Sequence, residues 1–165
     1  MEFEQFLADY GYGALFAAFC LGLIGLPVPN EVLVMTSGAA VSEGTLRLVP
    51  AFLSAYAGIC CGLTVGYAVG RLIGKPLLRW IVAKERWTKQ IKQTEQLIKK
   101  YGTAALLFSY FIPVVRNLMP YVIGASSAPF TKFAFYAFSG AFVWTAVFFS
   151  VGYAAGTAAL ESLQN

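Results

Sequence analysis

Glu31 and Arg116 are the two residues of this chain whose type and surroundings point to chemistry. Arg116 is the sole charge between Tyr101 and Thr131, and Glu31 follows an uncharged run that begins at Tyr10. In hydrocarbon an ionisable side chain costs several kcal/mol unless it is paired or wetted, so residues of this kind mark sites by default. The chemistry they offer is recognition of a polar group inside a membrane, not bond cleavage. The chain has no His, which removes Ser-His-Asp hydrolysis and His-ligated metals. Cys20, Cys60 and Cys61 lie in apolar runs without the spacing of a zinc or redox motif and read as packing residues. An enzyme is not expected, nor a cofactor, nor a metal.

The elements that must position these charges come from composition and proline placement. Hydrophobic residues make up 58% of the chain and charged ones 12%, more apolar surface than a soluble core of this size could bury. Leu48 to Gly70 and Phe133 to Leu160 carry no charge and are long enough to cross a bilayer as helices. The segments Tyr10–Asn30, Val32–Ser42, Tyr101–Val115 and Asn117–Thr131 are shorter or interrupted. Breaks are expected at Pro27, Pro29, Pro113 and Pro120, because proline removes a backbone donor and disfavours helix before it. Each interrupted region then reads as a re-entrant hairpin whose ends face a cavity; ordinary kinked transmembrane helices are the alternative.

An offset of 86 residues relates the two halves. Leu26-Pro27-Val28 overlies Ile112-Pro113-Val114, Gly38-Ala39 overlies Gly124-Ala125, and Val65-Gly66-Tyr67-Ala68 with Gly70 overlies Val151-Gly152-Tyr153-Ala154 with Gly156. Asn30-Glu31 falls on Arg116-Asn117, so each half carries one amide and one charge of opposite sign. Tyr10-Gly11 and Ala14-Leu15 likewise resemble Tyr101-Gly102 and Ala105-Leu106. Small residues at Ala55, Gly58, Gly62, Gly66 and Gly70 permit close helix contact.

The expected fold is an all-α integral membrane domain, an inverted repeat in which each half has an interfacial helix, a re-entrant hairpin and a transmembrane helix. Residues 1–74 form the first repeat, 75–100 a basic linker and 101–165 the second repeat. Nine of the twelve Lys and Arg residues lie between Arg71 and Lys100, whereas the N-terminal tail carries Glu2, Glu4 and Asp9. The positive-inside rule puts the linker in the cytoplasm and both termini outside. The acidic start does not match a signal peptide. Trp80 to Lys100 reads as an amphipathic helix, with Ile81, Trp87, Ile91 and Ile98 on one side and Lys89, Lys92, Lys99 and Lys100 toward anionic lipid headgroups. A plain cytosolic connector is the alternative, and nucleic acid is not an expected partner.

Pro-Val-Pro-Asn-Glu at 27–31, Gly66-Tyr67 with Gly70-Arg71, and Phe111-Ile112-Pro113 followed by Arg116 resemble the DedA family of bacterial membrane proteins, relatives of eukaryotic lipid scramblases. The similarity covers nearly the whole chain. Asn30 replaces a family glycine, Leu63 stands where an Asp is common, and Ser109-Tyr110-Phe111 occupies the stretch where a further Arg is common. These departures place the chain in a divergent branch. The resemblance implies a multi-pass protein of the bacterial cytoplasmic membrane that moves a lipid headgroup, either undecaprenyl phosphate or a phospholipid such as phosphatidylethanolamine, as a flippase or scramblase.

Arg116 suits a phosphate with its planar fork of donors, and Asn117, Asn30 and the hydroxyls of Tyr110 and Tyr121 can add to it. Glu31 can neutralise Arg116 in an empty site or meet a lipid ammonium. Opposite an anionic headgroup Glu31 repels unless protonated, which would link the cycle to protons. A structural ion bridge between the halves is the competing role for the pair. A proton-coupled small-ion or drug transporter and a non-transporting membrane scaffold remain as other functions, and a homodimer as an open assembly.

A single cysteine placed at Gln93 in a cysteine-free background should resist an impermeant thiol reagent in intact spheroplasts and react after lysis. A cysteine at Gln164 should react in both; the reverse pattern would invert the topology.

Overall fold

The computed structural model describes residues 2–24, 30–74, 76, 88–110, 112–126 and 128–164. These form helices α1 (Glu2–Ile24), α2 (Asn30–Ser42), α3 (Leu48–Ile73), α4 (Thr88–Tyr101), α5 (Ala105–Ser109), α6 (Pro113–Ala125) and α7 (Phe130–Gln164), with a 3-10 turn at Gly102–Ala104 before α5. No strand occurs among the described residues. Among the described residues, α3 and α7 are long and apolar enough to cross a membrane. At 26 and 35 residues, they extend about 39 and 52 Å at 1.5 Å per residue.

The chain forms two compact units that do not coincide with its sequence halves. One comprises residues 1–62 and 142–165, the other 63–141. Helices α3 and α7 each contribute to both.

In the first unit α1 runs alongside α3. Tyr12 accepts a 2.9 Å hydrogen bond from the Arg47 amide, Gly58 fits under Phe16 and Phe19, and Cys20 Sγ lies 3.3 Å from Cys61 Sγ. A methyl on Gly58 would fall 2.6 Å from the Phe16 carbonyl oxygen. Helix α2 returns from α1, with Asn30 Oδ1 against Gly22. Cys20 of α1 therefore lies level with Cys61, the fourteenth residue of the 26-residue α3, about its midpoint.

Helix α2 packs on the second half of α7. A methyl on Gly38 would fall 2.8 Å from Tyr153 N, one on Gly152 2.5 Å from Met35 Cα, and one on Gly156 3.0 Å from Ala39 Cα. Glycine lets the two backbones approach where hydrophobic transfer gives no drive between helices in lipid. Phe52 adds edge-on contacts with Phe142 and Phe149, with ring centres 5.7 and 5.6 Å apart.

The second unit repeats this scheme with different residues. Tyr110 at the end of α5 donates a 2.7 Å hydrogen bond to Ala137 O, and its ring covers Gly140. Helix α6 packs on the second half of α3, with Pro120 against Gly66, Tyr121 against Gly70, and Gly124 against the backbone of Tyr67 and Arg71. Positions 86 apart thus make the same kind of contact. Gly38, Gly152 and Gly156 seat α2 on α7 as Gly124, Gly66 and Gly70 seat α6 on α3. Tyr67 stacks on Phe133 at 4.6 Å and donates to Ala128 O, which also accepts from Arg71 Nη1 at 3.2 Å.

Several expectations change. Pro120 does not break the chain: it lies within α6. An internal proline costs a helix about 3 kcal/mol, and the neighbouring helix offsets this by packing Gly66 against the ring, with Pro120 Cβ 3.1 Å from the added methyl position. Pro113 behaves as expected, since α5 ends at Ser109, Ile112 is extended at φ −119° and ψ 101°, and Pro113 opens α6. Pro27 and Pro29 lie outside the described residues. No separate interfacial helix precedes the first hairpin, because α1 is continuous from Glu2 to Ile24. Its sequence offers no proline before Pro27, and Glu2 and Glu4 favour a helix start at the chain end. In the linker, α4 is described from Thr88 onward; Trp80, Ile81 and Trp87 lie outside the described residues, and Lys89, Lys92, Lys99 and Lys100 are exposed.

Gly152→Leu should lower the thermal stability of the purified protein by about 1–3 kcal/mol through backbone overlap. Gly13→Leu, at a glycine with nothing within 4 Å, should leave the melting curve in place. Copper-phenanthroline should join Cys20 to Cys61 within one chain, read as a disulfide-linked peptide by mass spectrometry. The link should vanish in Cys20→Ser and persist in Cys60→Ser.

Candidate functional site

Arg116 occupies the first turn of α6. Its amide closes on Ile112 O at 2.9 Å, and its side chain is 4% exposed. The free amides of a helix start carry about half a positive charge. A guanidinium buried at this end of a 13-residue helix adds cation to cation, and both favour an anion as ligand. Pro120, four residues on, also lacks the amide that would close on the Arg116 carbonyl, so this turn has fewer internal hydrogen bonds than its neighbours.

Glu31 has the opposite relation to its helix. It lies in the first turn of α2 and is half-buried, and a carboxylate there is favoured by the helix field. Beside each charge stands an amide. Asn30 is 2% exposed, and the Oδ1 atoms of Asn30 and Asn117 are buried without a hydrogen bond. These are acceptors, and a buried acceptor left unmet costs about 1–3 kcal/mol. They suit a ligand that brings an N–H or O–H group.

Each charge lies level with the middle of the long helix in its own unit. Along α6 and α3 the contacting residues rise together, Pro120 with Gly66 and Gly124 with Arg71. Arg116, one turn before Pro120, is level with the region one turn before Gly66, close to the middle of α3. Along α2 and α7, Met35 meets Gly152 and Ala39 meets Gly156. Glu31, one turn before Met35, is level with the middle of the 35-residue α7. Arg116 and Asn117 belong to the second unit, Asn30 and Glu31 to the first.

Both tyrosines named from sequence have packing contacts. Tyr110 is 4% exposed and its hydroxyl is committed to Ala137 O. Tyr121 lies half-buried where α6 packs on Gly66 and Gly70. Leu63, at the position of a common family acid, is 1% exposed. Tyr67 and Arg71 of the Gly-Tyr and Gly-Arg pairs clamp the Ala128 carbonyl, with Arg71 Nη1 also 2.9 Å from the Tyr67 hydroxyl. Those motifs are therefore helix-packing devices.

Sequence reasoning passed over Thr145 and Lys132. Thr145 is fully buried and its hydroxyl has no hydrogen bond, whereas Thr36, Ser37, Ser42, Ser109 and Thr157 each donate to a carbonyl one turn back. Its signal was slight, a lone threonine in an aromatic span. Lys132 stands at the threshold of the last span, where a single cation bounding an apolar run was the available sign.

Residues 28–154 match the VTT domain family. The membrane protein YbfM of Bacillus subtilis is 34% identical over 90% of this chain and 93% of its own length. Protein DedA of Escherichia coli K12 is 32% identical over 95% of this chain and 75% of its own. Undecaprenyl phosphate transporter A of Bacillus subtilis is 28% identical over 94% and 77% respectively. No solved structure matches the chain. With a domain match across most of its length and relatives of this identity and coverage, the chain belongs to the VTT domain family that contains the DedA proteins.

Proposed function

We propose that this protein carries the phosphate-bearing headgroup of a lipid across the bacterial cytoplasmic membrane, while the tails stay in the bilayer. The observation that carries this reading is Arg116, buried at 4% exposure in the first turn of α6, where guanidinium and helix field both call for an anion. A phosphate meets that demand with paired, charge-assisted hydrogen bonds. A relative bearing the name undecaprenyl phosphate transporter supports an anionic lipid as cargo.

On this reading α1 with α2, and α5 with α6, are re-entrant hairpins that enter from opposite faces and end near the bilayer midplane. Support comes from Cys20 of α1 lying level with Cys61 and from the equivalent glycine contacts of α2 and α6. Opposed hairpins would let the headgroup pass from one short half-path to the other. Glu31, in the first turn of α2, is the acid of the first unit, and it would repel an anionic headgroup and attract a lipid ammonium. The basic face of α4 holds anionic lipid at the cytoplasmic surface.

The test is headgroup-resolved translocation in proteoliposomes. Arg116→Gln, folded and inserted, should slow translocation by at least about tenfold, the cost of one lost charge-assisted pair. Arg116→Lys should retain part of the rate as a point charge. Glu31→Gln separates the cargoes by sign: faster movement of undecaprenyl phosphate, slower movement of phosphatidylethanolamine. An unaltered rate for Arg116→Gln would sink the proposal.

A further inference from the structure

We propose a second, shallower phosphate site in the unit formed by residues 63–141, a pocket of about 430 Å³ in which Lys132 receives the phosphate of an anionic lipid before it reaches Arg116. The inference deepens the lipid-transport reading and rests on it for the identity of the cargo. Its walls come from two places. Tyr101 and Thr103 belong to the end of α4 and the 3-10 turn, and Thr131, Lys132, Phe135 and Tyr136 to the first two turns of α7. Gly102, at φ +59°, makes the turn that lets residues on both sides of it line the same hollow.

The lining is matched to an anion. Tyr101, Thr103, Thr131 and Tyr136 supply four hydroxyls and Lys132 a cation, and neither Asp nor Glu is among the lining residues. A second cation stands beside it, with Lys100 Nζ 5.1 Å from the centre of the Tyr101 ring. Lys132 is in the first turn of the 35-residue α7, so helix field and ammonium again favour the same negative ligand.

The shared chemistry is a phosphate, which a lipid headgroup or free phosphate could bring. Exposed aromatics favour the lipid. Phe135 is 69% and Phe108 50% exposed, and Phe108 lies 4.9 Å from Tyr101 between ring centres. Apolar rings flanking a cationic pocket fit the boundary between headgroups and acyl chains. The basic run that ends at Lys100 leads directly into this pocket, placing it at the cytoplasmic surface where that run collects anionic lipid.

The experiment is native mass spectrometry of the full chain in detergent, titrated separately with dioctanoyl phosphatidic acid, dioctanoyl glycerol and inorganic phosphate. It is done in the wild type and in an Arg116→Gln background, which isolates the shallower site. Lys132→Gln should weaken phosphatidic acid binding about tenfold in both backgrounds, Lys132→Arg should restore it, and dioctanoyl glycerol should be indifferent to either change. Equal phosphatidic acid affinity with and without Lys132 would overturn the site. Saturation by inorganic phosphate at the lipid's own concentration would overturn its assignment to a lipid. Lys132-dependent binding together with unaltered transport by Arg116→Gln would remove the transport reading and leave a lipid-binding pocket, so the two failures read differently.

Discussion

A buried positive charge at the positive end of a helix is the constraint around which this protein is arranged. Arg116 cannot be placed where it is by hydrophobic packing, which opposes it, nor by the field of α6, which opposes it as well. Removing a charge of this kind from water is tolerable only where the fold supplies compensation. In a chain with eight acids, Glu31 is the one in apolar sequence, and it sits in the first turn of a helix of the same length as α6. The two residues differ in sign, and each stands at the start of a short helix in its own unit.

Holding such residues in the first turns of short helices requires close support for those helices. The chain meets this by packing short helices on long ones through glycine. Each short returning helix lies on the long helix of the other sequence half, α2 on α7 and α6 on α3, while the preceding arm lies on its own. This exchange explains why the compact units interleave the halves. It also accounts for an internal proline in α6: against Gly66 the ring adds contact in place of a clash. Where dispersion at close range holds helices together, a methyl in the wrong place separates backbones.

The ends of the long helices have their own chemistry. At the end of α3, Tyr67 and Arg71 hold the Ala128 carbonyl just before α7 begins, and Gly74 closes α3 at φ +58° with its amide on Gly70 O at 2.9 Å. The same region carries the exposed lysines of α4 and the cationic pocket at Lys132. A polar, hydroxyl-rich surface beside exposed Phe108 and Phe135 contrasts with the buried Arg116 deeper in the unit.

Hydropathy and proline placement, both local properties, determined the two long helices, the break before Pro113 and the identity of the two isolated charges. The 86-residue offset also showed from sequence which glycines matter, because close helix contacts tolerate little else. Only the tertiary structure decided what those glycines touch, since a contact such as Gly152 with Met35 depends on a helix more than a hundred residues away. It likewise tied the Tyr110 hydroxyl to Ala137 O and kept Pro120 inside a helix. In both cases the deciding neighbour comes from another element, and local sequence carries no information about which acceptor or which glycine will stand opposite.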